Sequence, residues 1–385
     1  MGTYLNPGNS GFKDILASDY VDKTGLIRLI NDAIGTNRKL ICISRPRRFG
    51  KSFTTQMLCA YYDRSCDSRE LFAGYAISSD PAYEDHLNRY NVIYWDMTGV
   101  KPYTSQYSEL VPYLITSLTD EIKGLWPEVI AGDNLSSTLI DVVQKTGTKF
   151  IIIIDEWDAP IRENSGRQRD YLAFLRSLFK NSGATSRIFA AAYMTGILPI
   201  MKDGSQSAIS DFREFTMVKP RQFGEYVGFT EEEVRKLCRD HAVNFEQMKH
   251  WYDGYRFKDV GSVYNPNSVM QAIAYSDFDS YWAETPAAES LTEYICKDYH
   301  GLTKSMAELI GGVDVPVYTK GFSNNLVTFR GKDDVLTLLI HLGYLAYDSE
   351  KETAKIPNEE IRLEFQKSVR QMKDFETLRQ LQESD

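Results

Sequence analysis

The sequence lacks the features that mark secreted, metal-binding and membrane-spanning proteins. Its five cysteines are odd in number and scattered, with no metal-ligand spacing, so buried or free thiols in a reducing compartment are expected. The five histidines form no H-E-x-x-H pattern. No apolar run approaches the length of a membrane span, and Met1 to Tyr4 do not begin a signal peptide. These absences predict a cytoplasmic protein without a membrane partner.

An excess of positive charge is also missing. The chain has 44 Lys and Arg against 53 Asp and Glu, a net charge of −9. Such a chain is not built to bind nucleic acid through its overall charge, although a local basic patch would still bind phosphates. Nucleic acid therefore stays open as a partner that the charge does not indicate. The 24 Tyr and 19 Phe exclude a disordered chain, and 385 residues predict two or three domains.

Strands alternate with helices in the first part of the chain. This order predicts an α/β domain over about 1–225, with a mainly parallel sheet covered by helices on both faces. The predicted strands are 39–43, 91–96, 150–154, 187–194 and a short fifth near 215–218, and the predicted helices are 17–35, 52–63, 104–124 and 167–181.

The pattern changes after residue 225. Thr230 and Glu233 have the spacing of a helix N-terminal capping box, and a mostly helical domain is predicted over 226–330. A helix over 333–342 ends at Gly343 and precedes two short strand-like segments. This order predicts a winged-helix-like module over 331–365, and residues 366–385 are predicted to form a polar tail or the start of a missing nuclease-like domain.

The most informative stretch follows the first strand. Arg45, Pro46, Arg47, Arg48, Phe49, Gly50, Lys51 and Ser52 match the phosphate-loop pattern G-x-x-x-x-G-K-[ST], with Arg45 at the first Gly position. Gly50 allows close backbone approach to phosphates, whose oxygens loop N–H groups would surround. Lys51 would neutralise the β and γ phosphates and Ser52 would bind Mg²⁺. Phe53 is counted with these residues as part of the predicted nucleotide site.

A second motif supplies the acids that such a loop requires. Asp155 and Glu156 directly follow four consecutive isoleucines. A buried strand that ends in a carboxylate suits a Mg²⁺ site beside a phosphate loop. We expect Asp155 to hold Mg²⁺ through water and Glu156 to polarise the attacking water as a general base.

Other polar residues carry open alternatives. Thr195 is either a sensor of the γ phosphate or merely the polar end of a strand. Arg47 and Arg48 either reach phosphates, in this subunit or a neighbour, or anchor the loop. Asp158, Arg162 and Glu163 either line the same edge or are solvated loop charges.

Taken together, these motifs resemble the bacterial AAA-ATPase-like proteins that commonly carry a C-terminal PD-(D/E)XK nuclease-like domain. The resemblance rests on residues 20–24, 44–52, 155–160 and 195–200, and weaker matches extend it over about 15–365. It implies ATP rather than GTP, and an Arg at the first Gly position is usual in this family. The nuclease-like part would follow residues 357–360, near the end of this sequence, so no nuclease activity is expected from it.

Two main hypotheses of function follow. The first is a slow Mg²⁺-dependent ATPase that switches its domain arrangement to control an attached or partner effector, with Lys51, Glu156 and Thr195 as catalytic residues. The second is a nucleotide-gated module that binds a partner or DNA with little turnover. A third, weaker hypothesis makes the helical and winged part a DNA reader. The sequence leaves open whether the chain forms a homo-oligomer.

Overall fold

A computed structural model describes most of the chain. The described residues are 2–100, 109–163, 168–180, 182–200, 202–203, 206–207, 209, 211–282, 301–322 and 329–371. Their contacts divide the chain into two compact units. The first unit comprises Met1–Ile43, Lys51–Gly196 and Ile200–Glu214, and the second comprises Ser44–Gly50, Ile197–Pro199 and Phe215–Asp385.

The first unit has helices on a parallel sheet. Its helices are α1 (Ser10–Leu16), α2 (Gly25–Asn31), α3 (Lys51–Tyr62), α4 (Arg69–Phe72), α5 (Tyr83–His86), α6 (Leu110–Leu125), α7 (Leu135–Thr146), α8 (Ala159–Glu163), α9 (Gln168–Phe179) and α10 (Ser182–Ile188), with a 3₁₀ helix at Ala76–Ser79. Its strands are β1 (Leu40–Ser44), β2 (Asn91–Asp96), β3 (Phe150–Asp155), β4 (Phe189–Gly196), β5 (Lys202–Asp203), β6 (Gln206–Ser207) and β7 (Arg213–Phe215).

The five-stranded sheet places the ends of its central strands side by side. Its order is β2-β3-β4-β1-β7, and β3 runs parallel to both neighbours. Asp96 lies opposite Asp155 in the β2–β3 register. All six residues of β3 are buried, because a parallel strand covered on both faces meets no water. The predicted α/β fold of a P-loop protein is thus confirmed, and the sheet brings the polar carboxyl ends of its strands to one edge.

The first predicted helix is shorter than its periodicity indicated. The apolar pattern predicted a helix over 17–35, but α2 covers only Gly25–Asn31. The Asp22 carboxylate accepts the backbone N–H of Thr24 at 2.8 Å and that of Ala76 at 2.8 Å. An aspartate that binds nearby backbone N–H groups stabilises a turn in place of a helix. The preceding residues therefore form a turn that connects to the 3₁₀ helix.

The second unit combines helices with short strands. Its helices are α11 (Glu231–Asp240), α12 (Phe245–Tyr252), α13 (Pro266–Tyr275), α14 (Leu302–Ile310), α15 (Lys332–Leu342) and α16 (Glu359–Gln371), with 3₁₀ helices at Arg221–Phe223 and Thr319–Gly321. Its strands are β8 (Phe229–Thr230), β9 (Tyr255–Phe257), β10 (Gly261–Tyr264), β11 (Val315–Pro316), β12 (Ala346–Asp348) and β13 (Thr353–Lys355). The antiparallel sheet β8-β10-β9 was not anticipated within the predicted helical domain.

Two local predictions in this unit are confirmed. Thr230 and Glu233 form a reciprocal capping box, with the Thr230 N–H donating to the Glu233 carboxylate at 2.7 Å. The helix α15 ends at Gly343 and leads into the antiparallel hairpin β12–β13, which is the order of a winged-helix-like module. Residues 334–341 of α15 are all buried, so this helix has no exposed face to place in a nucleic-acid groove.

None of the helices in the described ranges is long and apolar enough to cross a membrane.

Truncation of the central strand tests the core of the first unit. Ile152 is 1% exposed on β3, and Ile152→Ala is expected to lower the free energy of unfolding by about 2–5 kcal/mol through the cavity it leaves. Ile130 is 74% exposed, so Ile130→Ala should change stability by less than about 0.5 kcal/mol. Urea denaturation followed by circular dichroism compares the two variants, and equal losses would contradict a core centred on β3.

Candidate functional site

The buried carboxylate of Asp155 lies at the carboxyl end of β3. It is 1% exposed, and three hydroxyl groups surround it. The Thr195 hydroxyl donates to Oδ1, and the Thr55 hydroxyl donates to Oδ2 at 3.4 Å. Burial raises the pKa of Asp155, while hydrogen bonds from the Ser52 and Thr195 hydroxyls oppose that rise because they favour the charged form. Helix α3 and strands β3 and β4 therefore meet at this one group.

The neighbouring Glu156 joins two cations. Its Oε1 lies 3.0 Å from the Lys51 ammonium, and its Oε2 lies 2.7 Å from the Arg162 guanidinium. Arg162 also contacts Asp158 at 3.0 Å, so the two acids share it. The side chains are largely buried, with 3% of Lys51 and 16% of Glu156 exposed, and burial strengthens such pairs relative to surface ion pairs.

Backbone geometry aims these side chains. Glu156 has a φ of 49°, in the left-handed region, which turns the chain sharply after the strand. Its N–H donates to Asp155 Oδ1 at 3.1 Å and to the Thr195 hydroxyl at 3.3 Å. Gly196 ends β4 where a Cβ atom would meet Trp157 Nε1 at 2.6 Å and Asp158 Oδ1 at 2.7 Å. Only glycine fits there, and its small size lets the end of β4 lie close to the residues that follow β3.

The loop that precedes α3 is anchored by its own side chains. The Arg45 side chain is fully buried and donates to the carbonyl oxygens of Ser44 at 2.9 Å and Phe215 at 3.2 Å. Phe49 is also buried and packs edge-to-face on Tyr255 with ring centroids 5.5 Å apart. These two side chains face the interior, so only the loop backbone at these positions could contact a phosphate.

Arg48 and Gly50 shape the rest of the loop. Both have positive φ, 66° and 86°, and no heavy atom lies within 4 Å of a Cβ placed on Gly50. A left-handed glycine exposes backbone N–H groups, as a phosphate loop requires. Arg48 donates to the Tyr281 carbonyl oxygen at 2.9 Å, which favours the anchoring role for it. Pro46 is buried, Arg47 is half-buried, and Phe53 in the first turn of α3 is 51% exposed.

The residue Tyr281 connects the loop to a buried acid in the second unit. Its N–H donates to Glu360 Oε1 at 2.8 Å, and the Ser268 hydroxyl lies 2.9 Å from each Glu360 oxygen. Burial raises the pKa of Glu360 to about 8, partly offset by these hydrogen bonds. His341 in α15 is also buried, and burial lowers its pKa to about 3. A neutral packed histidine agrees with this environment.

The ligand set suits Mg²⁺ in its usual form. Within the described residues, no group of three His, Cys, Asp or Glu side chains could hold a metal ion. Mg²⁺ keeps several waters and phosphate oxygens, so one carboxylate and one hydroxyl from the protein suffice. Ser52 and Asp155 form such a pair and already share a hydrogen bond.

Comparison with known proteins adds the family. A profile described as predicted AAA-ATPase matches residues 8–205, about half of the chain. The chain belongs to the predicted AAA-ATPase family. The residues grouped around Asp155 and Glu156 lie within the matched range, as does the loop 45–52.

One relative of this AAA-ATPase-like chain is an uncharacterised protein in the vnfD 5′ region of Azotobacter chroococcum mcd 1. It is 26% identical over 294 residues, which cover 72% of this chain and 52% of the relative. This chain therefore spans about half the length of that curated relative.

Two solved structures from Aeropyrum pernix show only remote likeness. The ORC1 protein in complex with DNA covers 96% of this chain and 98% of its own, at 10% identity and a TM-score of 0.34. The ORC2 protein, as ADPNP–ADP complexes, covers 90% and 94%, at 10% identity and a TM-score of 0.35. No conclusion about this chain follows from values this low.

The structure brings together most residues that the motifs singled out. Lys51, Ser52, Asp155, Glu156 and Thr195 form one hydrogen-bonded group, and Arg162 and Asp158 join it. Sequence reasoning missed Thr55. The signal was present, since Thr55 lies three residues after Ser52 on α3 and therefore on the same helix face.

Removal of the Thr195 hydroxyl tests the buried carboxylate. Thr195→Val is expected to lower stability by about 2–3 kcal/mol, because a buried charged acceptor loses a donor. Thr185 is a matched control, since it is 3% exposed and its hydroxyl donates to the neutral Leu178 carbonyl at 2.9 Å. Thr185→Val should cost about 1 kcal/mol. Thermal unfolding of both variants measures the difference, and a smaller cost at Thr195 would contradict the charged state of Asp155.

Glu360 predicts a pH dependence of stability. Its pKa is about 8 when folded against an ordinary 4.5. The folded chain therefore holds this proton more tightly, and the stability it contributes is present below about pH 4.5 and lost as the pH rises to about 8. Glu360→Gln should flatten this decline in urea midpoints. Glu359→Gln should retain it, because the Arg362 side chain holds the pKa of Glu359 below its usual value.

Proposed function

We propose that the chain binds ATP with Mg²⁺ at the start of α3 and the end of β3, and hydrolyses it slowly. The observation that carries the proposal is the contact of Lys51 with Glu156 at 3.0 Å beside the hydroxyl-lined Asp155. A lysine and two acids in this arrangement, at the carboxyl ends of parallel strands, are what phosphoryl transfer requires.

Phosphate binding falls to the loop backbone and Lys51. Because the side chains of Arg45 and Phe49 are buried, the loop would contribute N–H groups, with Gly50 allowing the close approach. Lys51 would then neutralise the β and γ phosphates. Arg48 donates to the Tyr281 carbonyl oxygen, which supports the half-buried Arg47 over Arg48 as the loop arginine that reaches a phosphate.

Magnesium would be held by Ser52 directly and by Asp155 through water. When bound, the ion would neutralise charge that develops on the phosphate oxygens. The hydroxyls of Thr55 and Thr195 would keep the Asp155 carboxylate oriented, since both donate to it. These two are positioning residues in the proposal, and Thr195 additionally has the sensor role.

Hydrolysis would depend on an exchange of partners at Glu156. Its Oε1 binds Lys51 and its Oε2 binds Arg162. Phosphate oxygens compete for the same Lys51 ammonium. Glu156 would then remain on Arg162 with Oε1 available to accept a hydrogen bond from the attacking water. We propose slow turnover because this exchange must precede the chemical step.

The output of the cycle is proposed to be a change in the second unit that controls an effector. The loop side chains are tied into that unit through Arg45, Arg48 and Phe49. The proposed effector is a nuclease-like domain, as in the proteins that the sequence resembles, or a partner, and a second copy of the chain is a further proposed partner. The same ties favour one alternative function, a nucleotide-gated binding module with little turnover.

Two substitutions and one control test the proposal. Lys51→Ala should abolish ATP binding, because the phosphates lose their buried cation. Glu156→Gln should retain binding and lower phosphate release by at least about 100-fold. Lys149 lies just before β3, at the opposite end of the strand from Asp155, so Lys149→Ala removes the same charge and should change neither. Labelled-ATP titration and phosphate release measure both steps.

The outcomes separate the alternatives. Binding by the wild type without release, unchanged in Glu156→Gln, would replace the ATPase with the gated module. Absence of binding by the wild type, or equal binding by Lys51→Ala, would overturn the proposed site altogether.

A further inference from the structure

The second unit contains a cavity whose lining residues take no part in the proposed ATP site. Its volume is about 280 Å³. It lies where the segment after β7 meets the end of β9 and the hairpin β12–β13. Its lining consists of Met217, Val218, Lys219, Pro220, Arg221, Arg256, Phe257, Lys258, Asp259, Tyr347 and Ser349.

Four cations converge on this cavity from two segments. Lys219 and Arg221 follow β7, while Arg256 lies in β9 between the buried Tyr255 and Phe257, and Lys258 directly follows that strand. All four are exposed. Alternation along the strand places the Arg256 side chain on the outward face of β9. These four positive charges lie together in a chain whose net charge is −9.

A fifth positive charge lies behind the cavity wall. The Arg45 guanidinium is buried 5.1 Å from the centroid of the Phe257 ring. Phe257 thus contacts the buried Arg45 guanidinium and also lines the cavity. A charge in a low-dielectric interior is weakly screened, so it adds to the positive potential at the wall.

The nearby acids neutralise these cations only partly. Asp259 lines the cavity, and Glu350 lies 3.6 Å from Lys258 in an exposed pair. Asp348 accepts the backbone N–H groups of Lys351 at 3.1 Å and Glu350 at 2.9 Å, and these hydrogen bonds, with smaller contributions from the charges of Lys351 and Arg256, hold its pKa below the usual value. Within the described residues, Lys219, Arg221 and Arg256 have no carboxylate within ion-pair distance.

We propose that this cationic cavity binds the phosphodiester backbone of nucleic acid. A cage for a single small anion would need buried donors, but every charged side chain in the lining is exposed. Exposed lysines and arginines bind a polyanion instead, because each neutralised phosphate releases condensed counterions. Contacts of this kind position a nucleic acid without reading its sequence. None of the residues that line the cavity belongs to the proposed ATP site, and α15, which is buried, takes no part.

The test uses the whole chain and a short labelled DNA duplex of unrelated sequence. Fluorescence anisotropy at several salt concentrations gives the affinity and its salt slope. Arg256→Gln with Lys258→Gln, the β9 variant, removes one exposed charge from β9 and one from the residue that follows it. It should weaken binding about 10-fold or more at low salt, with a slope smaller by about two. Lys236→Gln with Arg239→Gln removes two exposed charges from α11, gives the same net charge, and should bind like the wild type.

Each other outcome overturns the proposal. These are no duplex binding by the wild type at low salt, an equal loss in the α11 variant, or an unchanged β9 variant. Polyglutamate of matched charge is a competitor, and displacement of the duplex at equal charge concentration would mean that the cavity accepts acidic polypeptides instead. Circular dichroism of both double variants confirms that the fold is retained, which is expected because all four side chains are exposed.

Discussion

The buried carboxylate of Asp155 is the constraint on which the first unit depends. A charged group that is 1% exposed is tolerated only if hydrogen bonds replace its lost water. Ser52 and Thr55 supply them from α3, and Thr195 supplies one from β4. The need to hydrogen-bond the two Asp155 oxygens therefore holds α3, β3 and β4 together. The hydrogen bonds that make its burial tolerable also form a polar site at the edge of the sheet.

The ion pairs of Glu156 allow an exchange of partners at this edge of the sheet. Its two oxygens bind different cations, Lys51 and Arg162. An anion that competes for Lys51 leaves Glu156 with Arg162, so the acid loses one partner without becoming an unpaired buried charge. Such a loss would otherwise be costly. The positive φ of Glu156 places its side chain beside Asp155 without disturbing the strand.

Local patterns predicted the elements of the site better than their extent. Four consecutive isoleucines predicted β3 and its acidic end, because a doubly covered parallel strand must be apolar throughout. The capping box at Thr230 was also predictable from the sequence, because both of its partners lie within four residues. The length of α2 was not, because the Asp22 carboxylate binds Ala76, 54 residues away. The contact of Arg162 with Glu156 likewise depended on how α8 approaches β3, which no short window contains. The roles of the site residues remain predictions, as does the winged module's boundary.

The arginine in place of the first loop glycine has a physical consequence. Glycine at that position would give the loop freedom and no anchor. Arg45 instead fills the interior, donates to two carbonyl oxygens and lies over Phe257. With Phe49 on Tyr255 and Arg48 on Tyr281, three of the four residues from 45 to 49 that carry long side chains are bound within the second unit. Any rearrangement of the loop backbone must therefore strain or move those contacts. Arg45, which departs from the common phosphate-loop pattern, is thus one of the side chains that hold the loop within the second unit.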